Sequence, residues 1–541
     1  MTRFALPSIV YMIALACSAH AAGPVTVPAS DPLFLGSVLD ETWDVSHAAK
    51  DGSIDCMNSL SDVDLNVAMP NAGVVTLNFD PSVYAPSQNP LAGPNWKVQV
   101  DGAPPSKPIT IGPTVATLST PSLPPGTHRV RFVNTANTEF PRWFPHDPGL
   151  ARVTGVTLPD GAHLEKSSRP TAWILAISDS IGEGAFDMNS SGPTFKAPGA
   201  YTDASNAWDA IAIRMLHKSA AGFLIAGIGM VRGGSGVPFG ALNASDPTGK
   251  NDPWDHIYAG VPRPFTTPPD CILLWLGTNE WASDGNMPGN VGADPRSTDV
   301  GLEDNLNTFF TRVRGHAQLA TTPIIVGVPF GGYKRTAMQK AIAAYCAAHP
   351  DEKHIQLCDV AFGSPALANT AGIDEKTLFG GLTRNQIFGE VAPPSAESAD
   401  RVHPYGIATP AMGSVNAHLE IAQVIAPRIA TILAGGPPPP TGELAPAKLD
   451  LQFKANTAQL TAPLATGGSA PYAYQFEKSG DNGKTWSPLG APIRSMQTTL
   501  QPLATSDANP AAGSVYRLTV KDSAEPQATA RTDPVAIDQA R

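Results

Sequence analysis

The stretch Trp173-Ile174-Leu175-Ala176-Ile177-Ser178-Asp179-Ser180-Ile181-Gly182-Glu183-Gly184 decides how this chain is read. An apolar run followed by a hydroxyl, an acid and two glycines reads as a buried strand ending in a tight turn. Ser180 then sits at the carboxyl edge of a sheet, where open α/β folds bind ligands. From about residue 170 onward the pattern alternates between strands and helices. Asp203 or Ser205 can cap a helix with Trp208, Ile211, Ala212 and Leu216 on one face. Strands are predicted at 222–226, 271–276, 323–328 and 354–360. Helices are predicted around Leu306, Phe309, Phe310 and Val313, at 336–348 and at 414–433. Such alternation implies a parallel sheet between two helical layers.

Before and after this unit the pattern is β. Residues 22–168 hold short alternating segments at 74–79, 96–100 and 128–133, separated by turns such as Asp101-Gly102 and Pro125-Gly126, and predict a β-sandwich. The α/β unit spans 169–434. Residues 435–442, with Gly435-Gly436-Pro437-Pro438-Pro439-Pro440, read as a stiff linker. Residues 443–541 carry strands at 449–460 (interrupted by a turn), 472–478 and 515–520. The hairpin turn Asp481-Asn482-Gly483-Lys484-Thr485-Trp486 adds to them, so a small immunoglobulin-like sandwich is expected. Tyr472, Tyr474 and Trp486 either line a glycan surface there or pack its core.

Composition narrows the class of function. The 541 residues suit two to four domains, and a formal net charge of −11 argues against a nucleic-acid partner. With 15% charged residues and 54 prolines, the chain suits an extracytoplasmic setting. Residues 1–21 read as an export signal: Arg3 is the positive start, the stretch from Phe4 to Ala16 is apolar, and Ala19-His20-Ala21 fits cleavage. The expected location is therefore secreted or periplasmic. No later apolar run is long enough to span a bilayer. Four of the cysteines lie beyond the signal, and Cys346–Cys358 is the nearest pair for a disulfide in an oxidising compartment. No CxxC or HExxH spacing occurs, so neither a metal nor another cofactor is expected.

Ser180 is the candidate nucleophile, because a hydroxyl can attack a carbonyl once a base and oxyanion donors are beside it. His403 is the candidate base, and Asp400, three residues earlier, the group that orients its imidazole. Singly, each is equally a turn serine or a surface loop. Their coincidence with Asn279 at predicted strand ends is what points to hydrolysis.

Three blocks then carry a resemblance. Ser178-Asp179-Ser180-Ile181 resembles the GDSL block, and Asp400-Arg401-Val402-His403-Pro404 the DxxHP block. Pro269-Asp270-Cys271-Ile272-Leu273-Leu274-Trp275-Leu276-Gly277-Thr278-Asn279-Glu280 resembles the PD-strand-GTND block. Over roughly residues 170–435 the chain is thus similar to the SGNH (GDSL) hydrolase superfamily. The resemblance implies Ser180 as nucleophile, His403 as base and Asp400 as its orienter. It also implies an oxyanion hole of Asn279, the Ser180 backbone N–H and a glycine. Within Gly227-Ile228-Gly229-Met230-Val231-Arg232-Gly233-Gly234 that glycine is Gly229, with Gly233 as the alternative. Ser178 replaces the first glycine of GDSL, and Glu280 replaces the aspartate of GTND and carries no assigned role. Trp281 either floors a sugar site or is a core or rim aromatic.

Upstream, Val98-Gln99-Val100-Asp101-Gly102, Leu123-Pro124-Pro125-Gly126-Thr127-His128-Arg129-Val130 and Gly155-Val156-Thr157-Leu158-Pro159-Asp160-Gly161-Ala162 lead straight into the serine strand. This is similar to carbohydrate esterase family two, in which a jelly-roll sandwich joins directly to an SGNH domain. That resemblance implies removal of O-acetyl groups from a polysaccharide or oligosaccharide, although the insertion at 235–267 departs from it. Two other functions stay open: an esterase or lipase for longer acyl chains, and a non-catalytic carbohydrate-binding or adhesive protein.

Overall fold

Apolar residues alternating between Val25 and Glu165 pair into two antiparallel sheets of five strands each. In the computed structural model the described residues are 23–57, 60–84, 93–136, 141–145, 147–185, 202–281, 295–330, 334–359, 417–434, 449–454, 457–462, 472–490, 493–495, 503–507, 510, 513–521 and 529–536. One sheet runs in the order Val25–Pro28, Ala151–Leu158, Thr76–Phe79, Thr117–Ser119, with Ile54–Cys56 also on Ala151–Leu158. The other runs His163–Glu165, Asp62–Met69, Gly126–Ala136, Asn95–Val100, Ile109–Thr110. Every second side chain faces inward, so Val63, Leu65, Val67 and Phe132 meet Leu77, Val153 and Val156 in one core with Trp43 and Trp96. The first β-rich segment is a sandwich.

The α/β unit follows in chain order as Trp173–Ser178 (β1), Trp208–Met215 (α1), Ser219–Leu224 (β2), Cys271–Trp275 (β3) and Asp299–Gly315 (α2). It continues with Ile324–Gly327 (β4), Arg335–Ala348 (α3), Ile355–Cys358 (β5) and Ala417–Leu433 (α4). The five strands are parallel in the order β2-β1-β3-β4-β5. Period-two alternation divides their side chains between two cores. Leu175, Ile177, Ile272 and Leu274 pack toward Leu306, Phe309 and Met338 of α2 and α3. Ile174, Ala176, Cys271 and Leu273 pack toward Ala212, Ile213, Ile421 and Ile425 of α1 and α4. Three layers result, as the alternating pattern predicts.

Local boundaries differ in instructive ways. The Asp203 side chain caps the short 3-10 turn Ala204–Asn206, accepting the Ser205 N–H, and α1 starts only at Trp208. β2 begins three residues earlier and ends two residues earlier than the predicted 222–226, because Gly227 takes φ +78° and the chain has left the sheet by then. The pair Cys346–Cys358 is not bridged, and the four cysteines of the described residues are free thiols. Cys358 faces the layer of α1 and α4, whereas Cys346 lies on α3 against the opposite face. The sheet stands between them.

After the α/β unit, Asp450–Lys454 and Thr457–Ala462 form a hairpin joined by Leu503–Asp507, as a turn inside 449–460 requires. A second sheet is built on Tyr472–Ser479 and Val515–Lys521. The two share a core of Leu460, Tyr474, Phe476, Tyr516 and Leu518, so Tyr474 is a core residue. Trp486 is half-buried under the Arg517 guanidinium, 4.1 Å from its ring centre. Among the described residues no helix is long and apolar enough to cross a membrane. The export segment 1–21, Asp400, His403 and the linker 435–442 lie outside the described residues.

Candidate functional site

The strand order reverses beside β1, which opens a crevice at the carboxyl ends of β1 and β3. There the Ser178 hydroxyl donates to the Trp275 carbonyl at 3.3 Å and ties the two strand ends together. The chain then makes one tight turn. The Asp179 carboxylate accepts the Ile181 N–H at 3.0 Å, and the Ser180 carbonyl accepts the Ala185 N–H at 2.9 Å. Ser180 is half-buried on this turn. Gly182 has no room for a side chain, since a Cβ would lie 2.5 Å from the Ser178 hydroxyl and 2.7 Å from Asp209 Oδ2.

Past β2, residues 225–230 form a second turn, and two buried carboxylates bracket it. Glu183, from the turn that carries Ser180, accepts the Ala226 N–H at 2.6 Å. Glu280, from the short helix Thr278–Trp281, accepts the Met230 N–H. Between these anchors Asn279 Nδ2 donates to the Ile228 carbonyl at 2.8 Å. A side-chain amide has two N–H groups, so one is left to meet a ligand. Gly229 is required by space: a Cβ would stand 2.2 Å from Glu280 Oε1. Its N–H donates to the Arg232 carbonyl at 3.0 Å, so an oxyanion would have to share or displace that bond. Gly233 lies farther on, in the hairpin of Arg232–Gly234 with Val237–Phe239. Ser180, Asn279 and the turn of Gly229 thus follow the carboxyl ends of three neighbouring strands, β1, β3 and β2. Trp281 closes the helix that carries Asn279.

Burial makes this crevice electrostatically unusual. It pushes the Asp209 carboxyl up to about 8 and Glu280 up to about 7, and the nearby Asp179 charge adds to both. Among the described residues, Asp209 Oδ2 and Glu280 Oε2 are buried with no hydrogen-bond partner. An ionised oxygen in that position is costly, which favours the protonated acid.

One support comes from the first sandwich. Arg142, in the loop between Gly126–Ala136 and Ala151–Leu158, donates to Glu183 at 2.6 Å and to the Ser235 carbonyl at 3.0 Å. Lys97 of the same sandwich pairs with Asp203 at 2.6 Å, with both side chains buried. Sequence reasoning gave no role to Glu183, Glu280, Arg142 or Asp209. Glu183 carried a signal, an acid between two glycines just after the serine. Arg142 carried none.

No protein-family model matches the sequence, and no curated protein matches it. Among solved structures, the chain is similar to a family two carbohydrate esterase from Cellvibrio japonicus. Identity is 15% and the TM-score 0.51, over 76% of this chain and 98% of that one. A family two carbohydrate esterase from Clostridium thermocellum gives 17% identity and a TM-score of 0.48, over 76% of this chain and 99% of that one. An acetyl xylan esterase from the rumen bacterium Butyrivibrio proteoclasticus gives 14% and 0.48, over 73% and 99%. The likeness to the Cellvibrio japonicus structure shows that this chain shares the fold of that protein.

Proposed function

We propose that this chain is an exported serine esterase that removes O-acetyl groups from a polysaccharide or oligosaccharide. The observation that carries the reading is that Ser180 follows β1 and Asn279 follows its neighbour β3, with Asn279 hydrogen-bonded into the turn that follows β2. In this reading Ser180 attacks the acetyl carbonyl, His403 takes its proton, and Asp400 orients the imidazole. The tetrahedral oxyanion is met by the Ser180 N–H, the free N–H of Asn279 and the N–H of Gly229. His403 then returns the proton to the sugar oxygen, and a water activated by the same histidine releases acetate from the acetyl-serine. In the same reading Trp281, two residues after Asn279, floors the sugar.

The fold shared with a family two carbohydrate esterase supports a sugar ester as substrate. The export signal, the jelly-roll character of 22–168 and an immunoglobulin-like accessory module at 443–541 belong to the same reading. Hydrolysis of a chromogenic acetate ester by wild type, and its loss in Ser180→Ala, tests the mechanism; equal turnover in both proteins sinks it. Acetate release from acetylated glycans, set against a series of longer acyl esters, tests the substrate. A preference for eight carbons or more would replace it with a lipase.

A further inference from the structure

A second concave site lies between the first sandwich and the α/β unit, a cavity of about 280 Å³. It opens where Pro170 precedes β1 and Ser219 begins β2, at the amino-terminal edge of the parallel sheet. Ser180 is at the other end of the strand, about 20 Å away at the rise of an extended chain. Arg129, Arg131, Arg169, Arg214 and Lys218 line the cavity, against the carboxylates of Asp62 and Asp64.

The pairing leaves positive charge over. Asp64 binds Arg129 through two hydrogen bonds, at 2.9 and 2.6 Å. Asp62 is shared by Arg131 and Arg169, which hold its carboxyl below the usual range against a burial that pushes it up. Lys218 pairs with Asp270. The Arg214 side chain makes no hydrogen bond or ion pair among the described residues, and it is exposed to solvent. The five cations of the lining thus meet three directly paired carboxylates, Asp62, Asp64 and Asp270, while Asp203, Asp209 and Asp62 also attract Arg214 without a direct ion pair. The charge of Arg131, on the facing strand of the sandwich, pushes the Arg214 pKa down. The guanidinium remains charged at neutral pH, crowded by another cation. An anion between Arg214 and Arg131 relieves that crowding, and the planar guanidinium forks suit an oxyanion's geometry.

We propose that this cavity binds a small oxyanion, namely phosphate, sulfate or a sugar carboxylate, through Arg214 and Arg131. The volume suits one ion or one acidic sugar ring, not a polymer. Arg131 belongs to the sandwich and Arg214 to α1, so the bound anion clamps the two units together. Binding only the folded state, it raises the melting temperature by mass action.

The test follows melting of the full chain as phosphate, sulfate or glucuronate replaces chloride at constant ionic strength. A saturable rise of roughly 2–4 °C in wild type, lost in Arg214→Gln, is the expected result. A rise with glucuronate alone identifies a sugar carboxylate as the ligand, and one with phosphate or sulfate a free ion. Equal melting in all four anions overturns the site, as does an undiminished rise in Arg214→Gln. Should that variant not fold, Arg214→Lys decides: it keeps the charge without the fork, so a half-saturation concentration unchanged from wild type overturns the assignment. Acetate-ester turnover is expected to be unchanged in both variants, which separates this site from the esterase reading.

Discussion

Arg142 reaches out of the sandwich and donates to Glu183 at 2.6 Å, with 0% and 3% of the two side chains exposed. The same Glu183 accepts the Ala226 N–H, so a residue outside the α/β unit steadies the turn that follows β2. Removing one partner of such a pair strands a buried charge, which costs about 3–5 kcal/mol. Glu183→Ala and Arg142→Ala are each expected to lose that much in urea unfolding. The double variant is expected to lose much less than their sum, and strict additivity would show that the pair is not coupled.

Asn279 is expected to act in the transition state more than in binding. One of its amide hydrogens is held by the Ile228 carbonyl, which aims the other. Asn279→Ala is expected to lower kcat by about 10²–10³, with KM little changed, as for other lost oxyanion donors. Steady-state kinetics on an acetate ester check it, and an unchanged kcat removes Asn279 from the oxyanion hole.

The serine turn and the asparagine turn were legible because each is local: an apolar strand followed at once by its polar residues. That the strands carrying them are neighbours was not legible, because the order β2-β1-β3-β4-β5 is fixed by pairing between distant segments. The same gap explains the cysteines. Cys346 and Cys358 are near in sequence, but the sheet separates α3 from the face that Cys358 joins. β2 was placed too late because Ile225 and Ala226 continue the apolar run after the backbone has begun to turn toward Gly227. Arg142 and Glu183 lie 41 residues apart, in segments with no shared pattern.

Gly229 faces a fixed obstacle. A Cβ there would stand 2.2 Å from Glu280 Oε1, an oxygen already committed to the Met230 N–H. Gly229→Ala is expected to cost about 1–3 kcal/mol by overpacking and to reduce activity. In a Glu280→Ala background the obstacle is gone, so the added cost of Gly229→Ala is expected to vanish. Thermal unfolding of the four proteins checks this, and an equal cost in both backgrounds refutes the contact.

Glu280 makes stability depend on pH in an uncommon direction. Burial raises its carboxyl from 4.5 to about 7, so the folded state binds the proton more tightly than the unfolded one. The resulting stability is present in full below pH 4.5 and is lost as pH rises through 7, about 3 kcal/mol in all. Asp209, raised to about 8 by burial, extends the loss to higher pH. Glu280→Gln cannot ionise and is expected to flatten the profile between pH 5 and 7, and Asp209→Asn the part nearer 8. Urea unfolding at pH 5, 6, 7 and 8 reads this directly, and parallel profiles for wild type and Glu280→Gln would rule the acid out. Activity is expected to run the other way, because in the proposed mechanism His403 acts as the base and must be neutral to work. The enzyme would then be most active where these two buried acids stabilise it least.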